Sequence, residues 1–250
     1  MDLDISDESG KHARQMGALH SPNNMGALGA GAIKAVIFDL DNCLSAADEV
    51  GNSLFEPGFE AIRHANHGKL SNQALEDAFS DCWRHSLDFV ADRHGFSEAM
   101  LAAGWQAFAA LEVKTPMSGY ADLPTLGEID ALRFLVTSGF RRLQESKIRV
   151  LGIERFFTEV LIDAIDDSNR KGKQQIFSDI LVSYHLMPAQ VLVVGDNPDS
   201  EIAAGNRLGI KTVQILRPGV SRCTNASCYI DGLAEVKELV TNTPDQSHLP

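Results

Sequence analysis

Ala35-Val36-Ile37-Phe38-Asp39-Leu40-Asp41 decides the architecture. Four apolar residues, mostly strong β-formers, end abruptly in two carboxylates two positions apart. A short unbroken apolar run reads as a strand buried on both faces, the habit of parallel sheets. The acidic pair then marks its carboxyl end. Asp2-Leu3-Asp4 repeats the polar tripeptide near the start of the chain, but no strand precedes it and it carries no weight.

The same grammar recurs further along. Arg133-Phe134-Leu135-Val136 ends in Thr137-Ser138-Gly139, and a helix through Phe140, Leu143, Ile148 and Leu151 stops at Gly152. Val160-Leu161-Ile162 ends at Asp163. Ile176, Phe177, Ile180, Leu181 and Tyr184 mark another helix face, followed by Pro188. Val191-Leu192-Val193-Val194 ends at Gly195-Asp196, a short helix covers about 199–208, and Thr212 to Leu216 is a further strand stopped by Arg217-Pro218-Gly219. Strands alternating with helices predict an α/β fold with a Rossmann-like, doubly wound parallel sheet. Ligands bind such sheets beyond the carboxyl ends of the strands. Asp39, Asp41, Thr137, Ser138 and Asp196 are therefore expected around one crevice, with Asp163 closing its strand structurally.

Between the first two strands the pattern is helical, from about 54 to 116. Leu75, Phe79, Cys82, Trp83, Leu87 and Val90 recur at spacings of three and four, as one face of a helix capped by Ser71. Met100, Leu101, Trp105, Phe108 and Leu111 form a second stripe, with Ser97 as its cap. The two tryptophans are read as packing between insert helices, with lining of a substrate pocket as the alternative. His64, His67, His85 and His94 are read as polar surface residues rather than metal ligands.

Composition narrows the function classes. With 44% hydrophobic and 22% charged residues the chain is an ordinary globular protein, and its net charge of −12 argues against a nucleic-acid partner. An anionic substrate would need local positive charge from a metal or a lysine. No apolar run approaches the ~20 residues of a membrane span, and no basic-then-apolar leader opens the chain. The four cysteines form no paired CxxC framework, so free thiols in the cytoplasm are expected.

Four stretches together resemble the motifs of the haloacid dehalogenase (HAD) superfamily, in the family's order. Phe38-Asp39-Leu40-Asp41-Asn42-Cys43-Leu44 looks like the first, DxDx(T/V) after an apolar strand. Leu135-Val136-Thr137-Ser138-Gly139 is similar to the second. Lys171, ahead of Ile176-Phe177, looks like the third, with Lys173 as the competing lysine. Val194-Gly195-Asp196-Asn197-Pro198-Asp199-Ser200-Glu201 resembles the fourth. Cys43 departs from the usual Thr or Val, Lys171-Gly172 from the frequent Lys-Pro, and Glu201 from the frequent Asp.

The resemblance implies a Mg²⁺-dependent phosphatase acting on a small phosphorylated metabolite. In it Asp39 would attack phosphorus, splitting the hydrolysis through an aspartyl-phosphate. Asp41 would serve as general acid and base. Thr137, Ser138, Gly139 and Lys171 would hold the phosphoryl oxygens. Asp39, the backbone carbonyl of Asp41, and Asp196 would hold Mg²⁺. Glu201 would support a metal-bound water, with Asp199 the weaker candidate, and Asn197 would be a supporting residue. The helical insert would be a cap that closes over the site. The implied division is a tail over 1–32, a catalytic core of 33–46 and 125–250, and a flap and cap over 47–124. Its hinges fall at Ser45–Pro57 and about Thr115–Pro124. A monomer or homodimer without membrane partners is expected. The alternatives are a phosphomutase of the same fold and a catalytically silent scaffold; Asp41 and Asp196 argue against a dehalogenase.

Overall fold

The computed structural model describes residues 32–242, so the expected tail lies almost wholly outside the described residues. Six parallel strands form one sheet: β1 (Ala35–Phe38), β2 (Leu132–Gly139), β3 (Glu159–Ala164), β4 (Val191–Gly195), β5 (Lys211–Ile215) and β6 (Cys228–Ile230). Their spatial order is β3-β2-β1-β4-β5-β6. The chain winds outward from β1 in one direction and then returns to wind outward in the other. β1 and β4 therefore flank the switch point, where a crevice opens beyond their carboxyl ends. Phe38 sits in register with Val194, so Asp39 and Asp196 emerge side by side.

The strands are buried on both faces, as their unbroken apolar sequences require. Val36, Phe38, Leu135, Val194 and Val213 face one layer, where Ile148, Leu233 and Val236 cover them. Ala35, Ile37, Phe134, Val136 and Val193 face the other, against Ile176, Phe177 and Ile180. Strand β6 and the last helix lie beyond the final strand expected from the sequence. Only three residues of β6 pair, too few for alternation or an apolar run to register.

The insert between β1 and β2 is all helical: α1 (Asn52–Ala65), α2 (Asn72–Asp81), α3 (Leu87–His94) and α4 (Glu98–Ala109). Ser71 and Ser97 cap α2 and α4 as expected, each hydroxyl accepting from the backbone N–H three residues on, at 3.2 Å. The stripe from Leu75 to Val90 is not one helix, however. It breaks at Cys82–Ser86, where Arg84 and His85 turn their N–H groups back onto the Asp81 carbonyl. The Asp81 carboxylate then receives His94 at 2.8 Å and holds α3 back against α2. The break carries Trp83 to Leu87 over the mouth of the crevice. The segment expected as flap and hinge, Ser45–Pro57, is partly helical: α1 starts at Asn52, so Pro57 lies inside the helix.

Four further helices complete the core: α5 (Arg141–Leu151), α6 (Lys173–Ser183), α7 (Ala203–Arg207) and α8 (Leu233–Thr241). α5 ends at Gly152 in the left-handed conformation, the stop expected from the sequence. Where the two chain crossings leave and re-enter the core, the Glu49 carboxylate joins them. It accepts from Ser45 Oγ at 2.9 Å and from the backbone N–H groups of Ser118 and Gly119.

Candidate active site

A cleft of about 280 Å³ opens at the carboxyl ends of β1, β2 and β4, roofed by the α2–α3 turn. Asp39 leaves β1 with its N–H still donating to the Val194 carbonyl at 3.0 Å, which fixes its backbone as part of the sheet. The chain then turns tightly, the Leu40 carbonyl accepting from Cys43, Leu44 and Ser45. That turn brings Asp41 back to the same cleft. Cys43, at the departure from the first motif, is fully buried. Its thiol lies 3.7 Å from the Val194 carbonyl, a weak donor doing what a Thr hydroxyl would do better.

The lysine at the site is Lys173, not Lys171. Lys173 Nζ donates to Asp39 Oδ1 at 2.8 Å and to Glu201 Oε2 at 3.0 Å, with 7% of its side chain exposed. Lys171 points outward, 59% exposed, and pairs with Asp179 at 2.7 Å. Helix geometry explains the correction. Lys173 opens α6 and is three, four and seven residues ahead of Ile176, Phe177 and Ile180, so it shares their buried face. Lys171 precedes the helix and has no such phase.

Glu201 lies in a single π-helical turn, Pro198–Ile202, an irregularity common at functional sites. Its side chain is 1% exposed and both oxygens are engaged: Oε2 with Lys173, Oε1 with the Asn197 N–H at 2.6 Å. Gly195 makes room for it. A Cβ at that position would fall 2.3 Å from Glu201 Cγ. Carboxylate oxygens of Asp39, Asp196 and Glu201 all lie within 4.8 Å of one another. Because Glu201 is already committed, it buttresses the lysine, and Asp39 and Asp196 are the carboxylates left to hold a cation. Asn197 is a tie rather than a ligand: its Oδ1 accepts from Asp199 N–H at 3.0 Å and its Nδ2 donates to the Arg84 carbonyl at 3.3 Å.

Burial pushes the Asp39 carboxyl up to about 7, against the pull of Lys173, and the neighbouring Glu201 and Asp41 raise it further. Burial likewise pushes Asp196 up to about 8, with Glu201 and Asp39 adding to it. Burial alone would lower the Lys173 ammonium, but Asp39 and Glu201 hold it well above its ordinary range. One ammonium thus faces three buried carboxylates. The deficit of positive charge, and a donor set made only of hard oxygens, fit a divalent cation such as Mg²⁺.

Thr137 is 1% exposed and lines the cleft with Ser138 and Gly139. Ser138 Oγ, however, donates to Asp163 Oδ2 at 2.9 Å, so the hydroxyl left for a ligand is that of Thr137. Asp163 is structural as expected, accepting also from the Arg170 guanidinium and the Gly172 N–H. Arg170 reaches on to Asp88 of α3 at 2.8 Å, linking core and insert.

Two residues absent from the sequence reading stand beside Asp41. Lys147 Nζ donates to Asp41 Oδ1 at 2.8 Å, and Gln144 Nε2 donates to Asp41 Oδ2 at 3.1 Å. The signal for them existed. Phe140, Gln144, Lys147 and Leu151 follow helical spacing, which puts two polar side chains on the stripe that should be apolar.

A Rossmann-like sheet with an acid–lysine cluster at its switch point, under a helical insert, defines a class of capped α/β hydrolases. The chain belongs to the haloacid dehalogenase-like hydrolases, whose family profile matches residues 33–209. It is 28% identical over 199 residues to a glyceraldehyde 3-phosphate phosphatase of Methanopyrus kandleri, covering 74% of this chain and 84% of that protein. It is 26% identical over 225 residues to the enzyme of the same name from Methanocaldococcus jannaschii, covering 84% and 98%. Among solved structures, a HAD-superfamily hydrolase (subfamily IA, variant 1) from Geobacter sulfurreducens shares the fold. It superposes with a TM-score of 0.58 at 16% identity, over 84% of this chain and 97% of that one. No helix among the described residues is long and apolar enough to cross a membrane.

Proposed function

We propose that the protein is a phosphatase that hydrolyses small phosphate monoesters through an aspartyl-phosphate on Asp39. The observation that carries this reading is the pairing of Asp39 with Lys173 at 2.8 Å at the switch point, with Asp41 two residues on and Asp196 just past the adjoining strand. A phosphodianion entering the cleft meets the Lys173 ammonium, the Thr137 hydroxyl and the backbone N–H groups of Ser138 and Gly139. Asp39 is held on one oxygen by Lys173 and presents the other to phosphorus. Asp41 gives a proton to the leaving oxygen and later takes one from the attacking water.

Mg²⁺ would be held by Asp39, Asp196 and the Asp41 carbonyl, and when bound supplies the charge that lets a carboxylate approach a phosphodianion. The region 47–124 acts as flap and cap, excluding water from the cleft. The names of the archaeal relatives favour a triose phosphate among the substrates. The protein would work in the cytoplasm, where its four free cysteines stay thiols.

The test is release of phosphate from 4-nitrophenyl phosphate and from a panel of metabolite phosphates, with Mg²⁺ and with chelator. Wild type is expected to turn over only with the metal, and Asp39→Asn not at all. Undiminished turnover by the variant removes Asp39 as nucleophile. No turnover of any ester favours the silent scaffold instead.

A further inference from the structure

Asp41 does not hang freely in the cleft. Both of its oxygens are taken from behind by one helix, α5. Lys147 Nζ reaches Oδ1 at 2.8 Å and Gln144 Nε2 reaches Oδ2 at 3.1 Å. The exposures show which side faces the ligand: 23% of the Asp41 side chain is open but only 3% of the Lys147 side chain. Gln144 is equally buried. The two donors are thus the more deeply buried partners, and the carboxylate they hold is the most open of the three.

Gln144 is fixed in turn. Its Nε2 also donates to the Ser138 carbonyl at 3.1 Å, so its NH₂ bridges the first and second strand ends. Both partners are acceptors, which leaves one orientation for the amide and turns Oε1 away from them. That Oε1 is buried and has no hydrogen-bond partner among the described residues. A buried acceptor left unmade is costly, and such a cost in a folded protein asks for a functional reason. The backbone is shaped for the amide as well. Gly139 has φ +153°, and a Cβ there would lie 2.6 Å from Gln144 Nε2.

We infer that Lys147 and Gln144 are positioning residues that aim the Asp41 carboxyl at the leaving oxygen of the substrate. The inference rests on the phosphatase reading and on Asp41 as its general acid. Both border the cleft beside Asp41, and each would act through Asp41 by holding one of its oxygens. In the first step the Asp39 oxygen–phosphorus bond forms as the phosphorus–leaving-oxygen bond breaks, and the Asp41 proton goes to the departing oxygen. A poorly aimed Asp41 harms that step only when the leaving oxygen needs the proton.

The experiment compares kcat/KM for an alkyl phosphate with kcat/KM for 4-nitrophenyl phosphate, whose leaving group departs unprotonated. This ratio reports the chain of events up to phosphoenzyme formation, so the later use of Asp41 as base drops out. Lys147→Met is expected to lose about 10- to 100-fold on the alkyl ester, a share of the ~10²–10⁴ general acids provide. Its loss on 4-nitrophenyl phosphate is expected to stay under about threefold. Lys147→Arg restores most of the alkyl activity. Gln144→Met, which buries no lone charge and removes the orphan acceptor, shows the same leaving-group dependence and keeps the test usable if Lys147→Met does not fold. Equal losses on both esters, or none on either, overturn the inference while the phosphatase reading stands. A wild type without Mg²⁺-dependent turnover overturns that reading and this inference with it.

Discussion

Lys173→Met and Lys171→Met are a matched pair, the same substitution two residues apart, and the structure assigns them opposite outcomes. Among the described residues, Lys173 is the sole ammonium in contact with a nest of three buried carboxylates, two of them within 3.0 Å. Removing one partner of a buried ion pair costs about 3–5 kcal/mol, because charge is left behind without compensation. For a domain of this size each kcal/mol moves the midpoint by ~2–4 °C, so a loss of roughly 6 °C or more is expected at pH 8. The sign of the pH dependence is fixed by what remains. Asp39 and Asp196 already take up protons more readily than ordinary carboxylates, and losing the ammonium makes them do so more. Protonation relieves the repulsion, so the deficit shrinks as pH falls towards 5.5. Turnover should fall by ~10²–10³, the usual cost of a preorganised electrostatic donor. Lys171 is a solvated surface residue paired with an exposed aspartate, and its replacement should leave turnover and melting essentially unchanged. Melting scans at two pH values and steady-state kinetics on both variants decide it. If Lys171→Met is the damaging one, or if the Lys173→Met deficit grows towards pH 5.5, the electrostatic account of the site is wrong.

Two further outcomes follow from the same cluster. Without metal, the folded protein binds more protons than the unfolded chain from about pH 4 up to the raised values of Asp39 and Asp196. Stability in chelator should therefore fall from about pH 4 and level off above the raised values of about 7 and 8, and the melting shift given by Mg²⁺ should grow between pH 6 and pH 8. A Mg²⁺ shift that is the same at pH 6 and pH 8 contradicts this. Gly195→Ala would drive a methyl group into Glu201, which must leave Lys173 or displace β4. Turnover should drop at least tenfold and the protein lose about 1–3 kcal/mol by denaturant titration; wild-type behaviour in both would refute the close approach.

Much of this was legible in the sequence because buried parallel strands announce themselves twice, by an unbroken apolar run and by the polar residues that end it. Asp39, Thr137 and Asp196 were found that way, and the sheet follows from the same pattern. What escaped depended on phase rather than composition. Counting back from Ile176-Phe177 favours Lys171 because it fixes a distance along the chain and not an angle; the 3.6-residue period shows that only Lys173 shares the face of Ile176 and Ile180. Lys147 and Gln144 were missed because polar residues on a helix read as surface unless their angular position is compared with Phe140 and Leu151. The break between α2 and α3 was hidden because Cys82 and Trp83 continue the apolar stripe, while what folds α3 back is a long-range pair, Asp81 with His94. No local pattern encodes such a pair. Strand β6, three residues long, falls below what periodicity can register.

Asp39 itself is expected to become phosphorylated. Wild type mixed with substrate and Mg²⁺, quenched in acid within the first turnovers and digested, should yield the peptide holding Asp39 with the added mass of one phosphoryl group. Neutral hydroxylamine should remove it, as it does an acyl phosphate, and Asp39→Asn should show none. Phosphate release at full rate with that peptide unmodified, or the added mass on any other residue, would contradict the account.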